Sequence, residues 1–149
     1  MNRAHNAKEA HQCIEQAVNY FPNISIDLIY GIPGMSKDRW RENLYKAIQL
    51  NVPHISSYAL TVEDNTVLKS LIEKGMVPKV EDEVAQQHFQ ILLDVMELHS
   101  FENYEFSNFG KEGFFSQNNT AYWTSKSYIG IGPSAHSFDG KRRGWNINN

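Results

Sequence analysis

Ile24-Ser25-Ile26-Asp27-Leu28-Ile29-Tyr30-Gly31-Ile32-Pro33-Gly34 decides the fold class. Its first part is a short apolar run rich in isoleucine and bounded by turn residues, the signature of a strand covered on both faces, as in a parallel sheet. Ile32-Pro33-Gly34-Met35 then offers Pro at the second and Gly at the third turn position. That is the type II order, in which glycine takes the positive φ at no steric cost. A helix follows, so strand, turn and helix make half of a βαβ unit, a fold in which ligands gather where strands end. Asp27 is the one carboxylate inside the run. Buried, it must either bond to neighbouring backbone amides or meet a ligand, because an unpaired buried charge is very costly. The pattern leaves both open.

Upstream, residues 6–21 read as a helix. Asn6 stands as cap with Glu9 three residues on, a capping box. Ala10, Cys13, Ile14, Ala17, Val18 and Phe21 repeat at helical spacing, which puts Cys13 on the apolar face as a small buried hydrophobe. Downstream, Ser36 caps a helix whose inward stripe is Trp40, Leu44, Ala47 and Ile48. Asn51-Val52-Pro53 ends it, and His54-Ile55-Ser56-Ser57-Tyr58-Ala59-Leu60 reads as a second strand. Strand, helix and strand over this distance predict a right-handed parallel crossover. A short helix over 64–74 stops near Gly75, and a long one spans 82–99 with an acidic first turn and a core face of Ala85, Phe89, Leu92, Leu93 and Met96. Tyr104-Glu105-Phe106-Ser107-Asn108-Phe109 comes next as a third strand. Alternation of this kind defines an α/β layer. Residues 110–121 are polar and read as a loop, and aromatic and glycine-rich segments take over after it.

The chain has 149 residues and a net charge of −3, enough for one domain or a piece of a larger one, with no global electrostatic footprint for nucleic acid. Lys141-Arg142-Arg143 is its one basic cluster and reads as a solvated turn. No segment reaches transmembrane length and no signal peptide is legible, which points to the cytoplasm. Cys13 is the only cysteine, so this chain alone builds neither a disulfide nor a thiolate cluster site. The six histidines show no metal-ligand spacing, and His136 reads as a satisfied structural histidine. Gly130-Ile131-Gly132-Pro133-Ser134-Ala135 looks on paper like a dinucleotide loop. Pro133 and the residues after it do not open a helix, so a tight backbone turn against a ligand or strand is the better reading. Asn118-Asn119 with Tyr122-Trp123 is either a turn with an aromatic anchor or a surface for a flat ligand.

Four blocks carry the reading further: Ile26 to Gly34, His54 to Glu63, Tyr104 to Phe109, and Gly130-Ile131-Gly132-Pro133-Ser134-Ala135-His136-Ser137-Phe138. Together, in order and spacing, they resemble the oxygen-independent coproporphyrinogen III oxidase family of radical S-adenosylmethionine (SAM) proteins, most of all its haem-chaperone branch. The resemblance covers essentially the whole chain. It implies an α/β chain that is the C-terminal half of a partial (β/α)6, TIM-barrel-like radical-SAM barrel over 1–109, then the start of a C-terminal extension over 110–149. It also implies an internal fragment without the three-cysteine loop of the [4Fe–4S] cluster, with Asp27, Ala59 and Phe106 on the fourth, fifth and sixth strands. By the same resemblance Arg3 meets the SAM methionyl group, Asp27 the ribose hydroxyls and Ala59 the adenine. Asn118, Asn119 and Tyr122 fall where the chaperone branch carries His-Asn-x-x-Tyr for haem, with Asn118 in the histidine's place.

The implied cofactors are SAM and [4Fe–4S] in a longer parent, and haem. The implied partners are porphyrin or haem and haem-acceptor proteins. The fragment alone is expected to be inactive, with no catalytic or metal residue of its own, and to self-associate through a bare barrel edge. The rivals are a porphyrin-biosynthesis oxidoreductase, which decarboxylates coproporphyrinogen III to protoporphyrinogen IX, and an unrelated small-molecule-binding α/β domain.

Overall fold

The computed structural model describes residues 6–148, which form two compact units, one ending at Phe114 and one starting at Phe115. In the first, α1 (Ala7–Ala17) opens on the expected capping box. The Asn6 side chain accepts from the Glu9 N–H at 3.0 Å and the Glu9 carboxylate accepts from the Asn6 N–H at 2.8 Å. The helix ends earlier than its apolar spacing suggests and buries no residue. Cys13 is exposed rather than buried, because no element covers that turn of α1 completely.

The strand β1 (Ser25–Tyr30), the helix α2 (Lys37–Gln49) and the strand β2 (His54–Ala59) form the predicted parallel unit, with Ser25 opposite His54 and Tyr30 opposite Ala59. Ser36 caps α2 by accepting from the Arg39 N–H at 3.2 Å. The helices α3 (Val67–Glu73) and α4 (Asp82–Leu98) come after β2. The third strand differs from expectation. Instead of one run over 104–109 there is a hairpin: β3 (Glu102–Asn103), a reversal, then β4 (Asn108–Gly110) antiparallel to both β3 and β2. Phe106 sits in the reversal and is 79% exposed. Local side-chain bonds explain the reversal. One Glu105 carboxylate oxygen accepts from the Ser107 N–H at 3.0 Å and from the Asn108 side-chain amide, and the Asn103 amide donates to the Asn108 carbonyl at 3.2 Å. Such bonds compete with a continuous ladder. The sheet order is β1-β2-β4-β3.

Helices cover one face of this sheet. Trp40, Leu44 and Ala47 from α2 and Ile91, Leu92, Val95 and Met96 from α4 form a core with Ile55 and Phe109 of the sheet. Fully burying one such side chain stabilises the fold by about 1.5–3 kcal/mol. The face of α4 is rotated from the expected one: His88, Ile91 and Val95 are buried while Ala85, Phe89 and Leu93 are only partly covered. The histidine in this core has one ring nitrogen and its carbonyl engaged, while its buried Nε2 has no partner among the described residues. The Trp40 indole N–H donates to the His88 carbonyl at 2.8 Å, and the Gly31 N–H donates to His88 Nδ1 at 3.2 Å.

In the second unit Ser116 caps α5 (Gln117–Trp123), accepting from the Asn119 N–H at 3.3 Å, where a loop was expected. Apolar periodicity there is too weak to announce a helix; the cap is its one legible signal. A two-stranded antiparallel ribbon completes the unit, β5 (His136–Phe138) with β6 (Arg143–Trp145), and Tyr128 bridges to Phe138. Among the described residues no helix is long and apolar enough to cross a membrane.

Candidate functional site

Strand register sorts the sheet of the first unit into two chemistries. Side chains alternate across a strand, and paired residues share a face. Ile26, Leu28, Tyr30, Ile55 and Phe109, with Ser57, therefore lie on the helix-covered side, while Ser25, Asp27, His54, Ser56, Tyr58 and Asn108, with Ile29, lie on the other. A strand covered on both faces was expected. Here β1 has one face under helices and one lined by polar groups, and Asp27 is exposed. The premise that Asp27 is buried, and so must bond to backbone amides or meet a ligand, therefore fails, because water reaches the carboxylate. Among the described residues Asp27 enters no ion pair and accepts no hydrogen bond.

Beside it, His54 is buried, and its Nδ1 is 2.6 Å from the Ser25 hydroxyl and its Nε2 2.7 Å from the Tyr104 hydroxyl. Two hydroxyls satisfy a neutral imidazole fully, one donating to its bare nitrogen and one accepting from its N–H. Burial pushes the His54 pKa below the usual histidine range, and the charges of Asp27 and Glu105 pull the other way. Both carboxylates are thus near enough for the imidazole to feel their charge.

The C-terminal end of β1 is closed by the expected turn. The Met35 N–H donates to the Ile32 carbonyl at 3.0 Å, and Gly34 takes φ +76°. Gly31 also has positive φ, at +72°, and a Cβ there would lie 3.1 Å from Ala85 Cβ. Its N–H is the one held by His88, which therefore anchors the turn to α4. Burial pushes the His88 pKa down; the Met35 main chain opposes this and the Lys37 charge adds to it.

The sequence-predicted residues are scattered rather than gathered into one pocket. Arg3 lies outside the described residues. Asp27 stands on the polar face. Ala59 ends β2 opposite Tyr30, exposed, but three residues beyond Ser56, the partner of Asp27. Its side chain therefore alternates to the other face, and register does not bring the two side chains together. Asn118, Asn119 and Tyr122 lie on α5, with the Tyr122 ring edge-on to Tyr128 at 4.8 Å. Sequence reading missed the Ser25–His54–Tyr104 chain and His88. The register of two parallel strands could have paired Ser25 with His54; nothing local in the sequence foretold Tyr104.

In α/β sheets ligands bind outside the carboxyl ends of the strands, which here is the end closed by the Gly31–Met35 turn. In a structural comparison the chain matches coproporphyrinogen III oxidase HemN of Escherichia coli, a radical SAM enzyme, with a TM-score of 0.77 over 99% of this chain and 37% of that one. At 16% identity that likeness shows the fold alone, an α/β arrangement like the matching part of that enzyme. Sequence relatives are more particular. Heme chaperone HemW of Bacillus subtilis is 34% identical over 148 residues, covering 99% of this chain and 39% of the relative. HemW of Mycobacterium tuberculosis is 32% identical over 148 residues, 99% of this chain and 38% of that protein. Mitochondrial radical S-adenosyl methionine domain-containing protein 1 of Bos taurus is 33% identical over 137 residues, 91% of this chain and 31% of that protein. The chain is thus a homologue of the HemW heme chaperones, and it spans about two fifths of the length of the first of them. No protein-family model matches it.

Proposed function

We propose that this chain is the second half of a partial radical-SAM barrel, over 1–109, with the start of a C-terminal extension over 110–149, in a haem chaperone-like protein that binds SAM and haem. The observation that carries it is Asp27: a solvated carboxylate with no ion-pair or hydrogen-bond partner among the described residues, on the polar face of a parallel strand. A carboxylate is a double acceptor, the complement of the vicinal hydroxyls of a ribose. Neutral His54 leaves that charge unpaired, because its two nitrogens are already engaged by Ser25 and Tyr104. The turn held by His88 fixes the strand end above Asp27. Adenine contact at Ala59 then falls to its main chain, and Arg3 takes the methionyl carboxylate, for which guanidinium is a bidentate donor.

The residues of this chain do not fit an iron–sulfur cluster. Cys13 is its single thiol, and no group of three or more His, Cys, Asp or Glu gathers among the described residues. Cluster thiolates belong elsewhere, and this chain alone is expected not to cleave SAM. Haem is the cargo in this reading, delivered to acceptor proteins in the cytoplasm. Asn118 is no axial ligand for it, since an amide does not replace an imidazole on iron.

The test is a chimera in which this chain replaces the matching segment of Bacillus subtilis HemW. Asp27→Ala should weaken SAM binding, measured by equilibrium dialysis, about ten- to a hundredfold, the worth of one or two hydrogen bonds to a charged group. Unchanged binding refutes the assignment. Stable haem binding supports the chaperone reading; decarboxylation of coproporphyrinogen III without it supports the oxidase.

A further inference from the structure

We infer that the open ribbon of the second unit is a haem site, with His136 as axial ligand to the iron and the basic turn as the seat of the propionates. This deepens the haem reading above and rests on it. The first observation is His136 itself. It was expected to be a satisfied structural histidine. It is instead exposed, and among the described residues its ring makes no hydrogen bond, only a ring contact with Trp145 at 6.0 Å. Imidazole is a common protein ligand of haem iron.

Strand register supplies the second observation. His136 pairs with Trp145 and Phe138 with Arg143, so imidazole, indole, phenyl ring and guanidinium share one face of the ribbon. Trp145 is 72% exposed and Ile147, two residues on, 83% exposed, and both line an open cleft of about 600 Å³ with His136. An apolar surface of this kind on so small a unit marks a binding site. Flat aromatic faces suit a porphyrin plane.

Charge is the third. The chain is net acidic, yet from Phe115 onward it carries Lys126, Lys141, Arg142 and Arg143 against the single carboxylate of Asp139. Asp139 is occupied, accepting from the Lys141 N–H at 2.8 Å and the Arg142 N–H at 2.7 Å, which hold its pKa down. Arg143 lies two residues from Trp145, about 7 Å along a strand. Cations therefore flank the aromatic face on one side, as a ligand with two carboxylates on one edge requires.

The ribbon is also stiff where it needs to be. The Asn146 side chain donates to the Gly130 and Gly132 carbonyls at 3.2 and 2.8 Å, and its N–H to the Ala135 carbonyl at 2.9 Å. Gly130 packs so closely that a Cβ would sit 2.1 Å from the His136 carbonyl oxygen. The bonds and the missing side chain together hold the main chain on both sides of His136.

The test is titration of the 149-residue chain with ferric haem, followed by the Soret band. His136→Ala should weaken binding at least about tenfold, since even an outer-shell partner of a metal ligand is worth that much. It should also abolish the imidazole-ligated spectrum. Arg142→Gln and Arg143→Gln should each weaken binding about two- to fivefold, more at low salt. Metal-free protoporphyrin should bind more weakly and ignore His136→Ala, and His11→Ala, in α1, should change nothing. Circular dichroism confirms that each variant is folded. Haem binding unchanged by His136→Ala overturns this site and leaves the haem reading standing. Absence of haem binding, here and in the chimera, overturns both.

Discussion

Gly31→Ala and Gly34→Ala should differ in cost, and the difference measures how tightly the β1 turn is pressed onto α4. Both glycines have positive φ, +72° and +76°, in one turn. Alanine at either position loses about 1–2 kcal/mol to that conformation. At Gly34 nothing lies within 4 Å of the new Cβ, so the cost ends there. At Gly31 the new Cβ meets Ala85 Cβ at 3.1 Å and Ala85 Cα at 3.5 Å. Neither atom can rotate away, because Ala85 is on a helix, so the turn or α4 must shift. Overpacking of this kind adds about 1–3 kcal/mol. A shift also stretches the Gly31 N–H bond to His88, already 3.2 Å long. Urea unfolding of the chain is the assay. With a slope of about 1–3 kcal/mol per molar, the two midpoints should separate by roughly 1 M. Ala85→Gly costs about 1 kcal/mol alone, by helix propensity, yet should recover most of the packing loss in combination with Gly31→Ala. Equal midpoints for the two alanine variants, or strict additivity in the cycle, refute the reasoning.

Stability should fall as pH drops below about 6.5. His54 and His88 have folded-state pKa values lowered by burial, so the unfolded chain binds protons first and stability is lost as pH falls through that window. The slope is at most about 1.4 kcal/mol per pH unit for each; a flat unfolding midpoint between pH 7 and 5 contradicts it. Asp27→Asn should leave stability within about 0.5 kcal/mol, because the carboxylate is solvated and unbonded, and a larger loss in urea would make it a structural group. Among the described residues β1 pairs only with β2, so it is an edge, and the chain should associate as concentration rises. Ser25→Lys should suppress the association, and a monodisperse monomer by light scattering at all concentrations argues against the edge.

Much of the first unit was legible because its signals are local. Ser36 and Asn6 announce helix starts, Pro33-Gly34 announces the turn, and the Trp40–Leu44–Ala47 stripe announces the packed side of α2. What failed depends on partners far along the chain. Whether Asp27 is buried depends on what covers the second face of β1, and no periodicity within 24–30 contains that information. The run over 104–109 has the composition of a strand, and only the competing bonds of Asn103 and Glu105 break it into a hairpin. His88 in the core depends on Gly31, nearly sixty residues away, whose N–H engages one of its two ring nitrogens. His136 misled in the opposite sense: its Gly-rich surroundings suggested tight local bonding, but the bonds there go to Asn146 and Ser137 and leave the imidazole open.

The energetics of the sheet bear on the SAM assignment directly. Folding free energy comes chiefly from the helix-covered face, where Ile55 and Phe109 are fully buried against α2 and α4. Apart from Ile29, the opposite face carries Asp27, His54, Ser56, Tyr58 and Asn108, which contribute little by apolar burial and lose hydration wherever they are covered. Its buried part bonds mostly to itself: His54 to Ser25 and Tyr104, and the Asn108 amide nitrogen to Glu105, while the buried Asn108 Oδ1 has no partner among the described residues. Only Asp27 is left both charged and unengaged. A sequence under selection for stability alone would fill this face of an edge strand with Thr or Val, which pack and pair better on a pleat. A free carboxylate at that place costs the fold little while exposed, and in the proposed reading it gains one or two hydrogen bonds when the ribose hydroxyls bind.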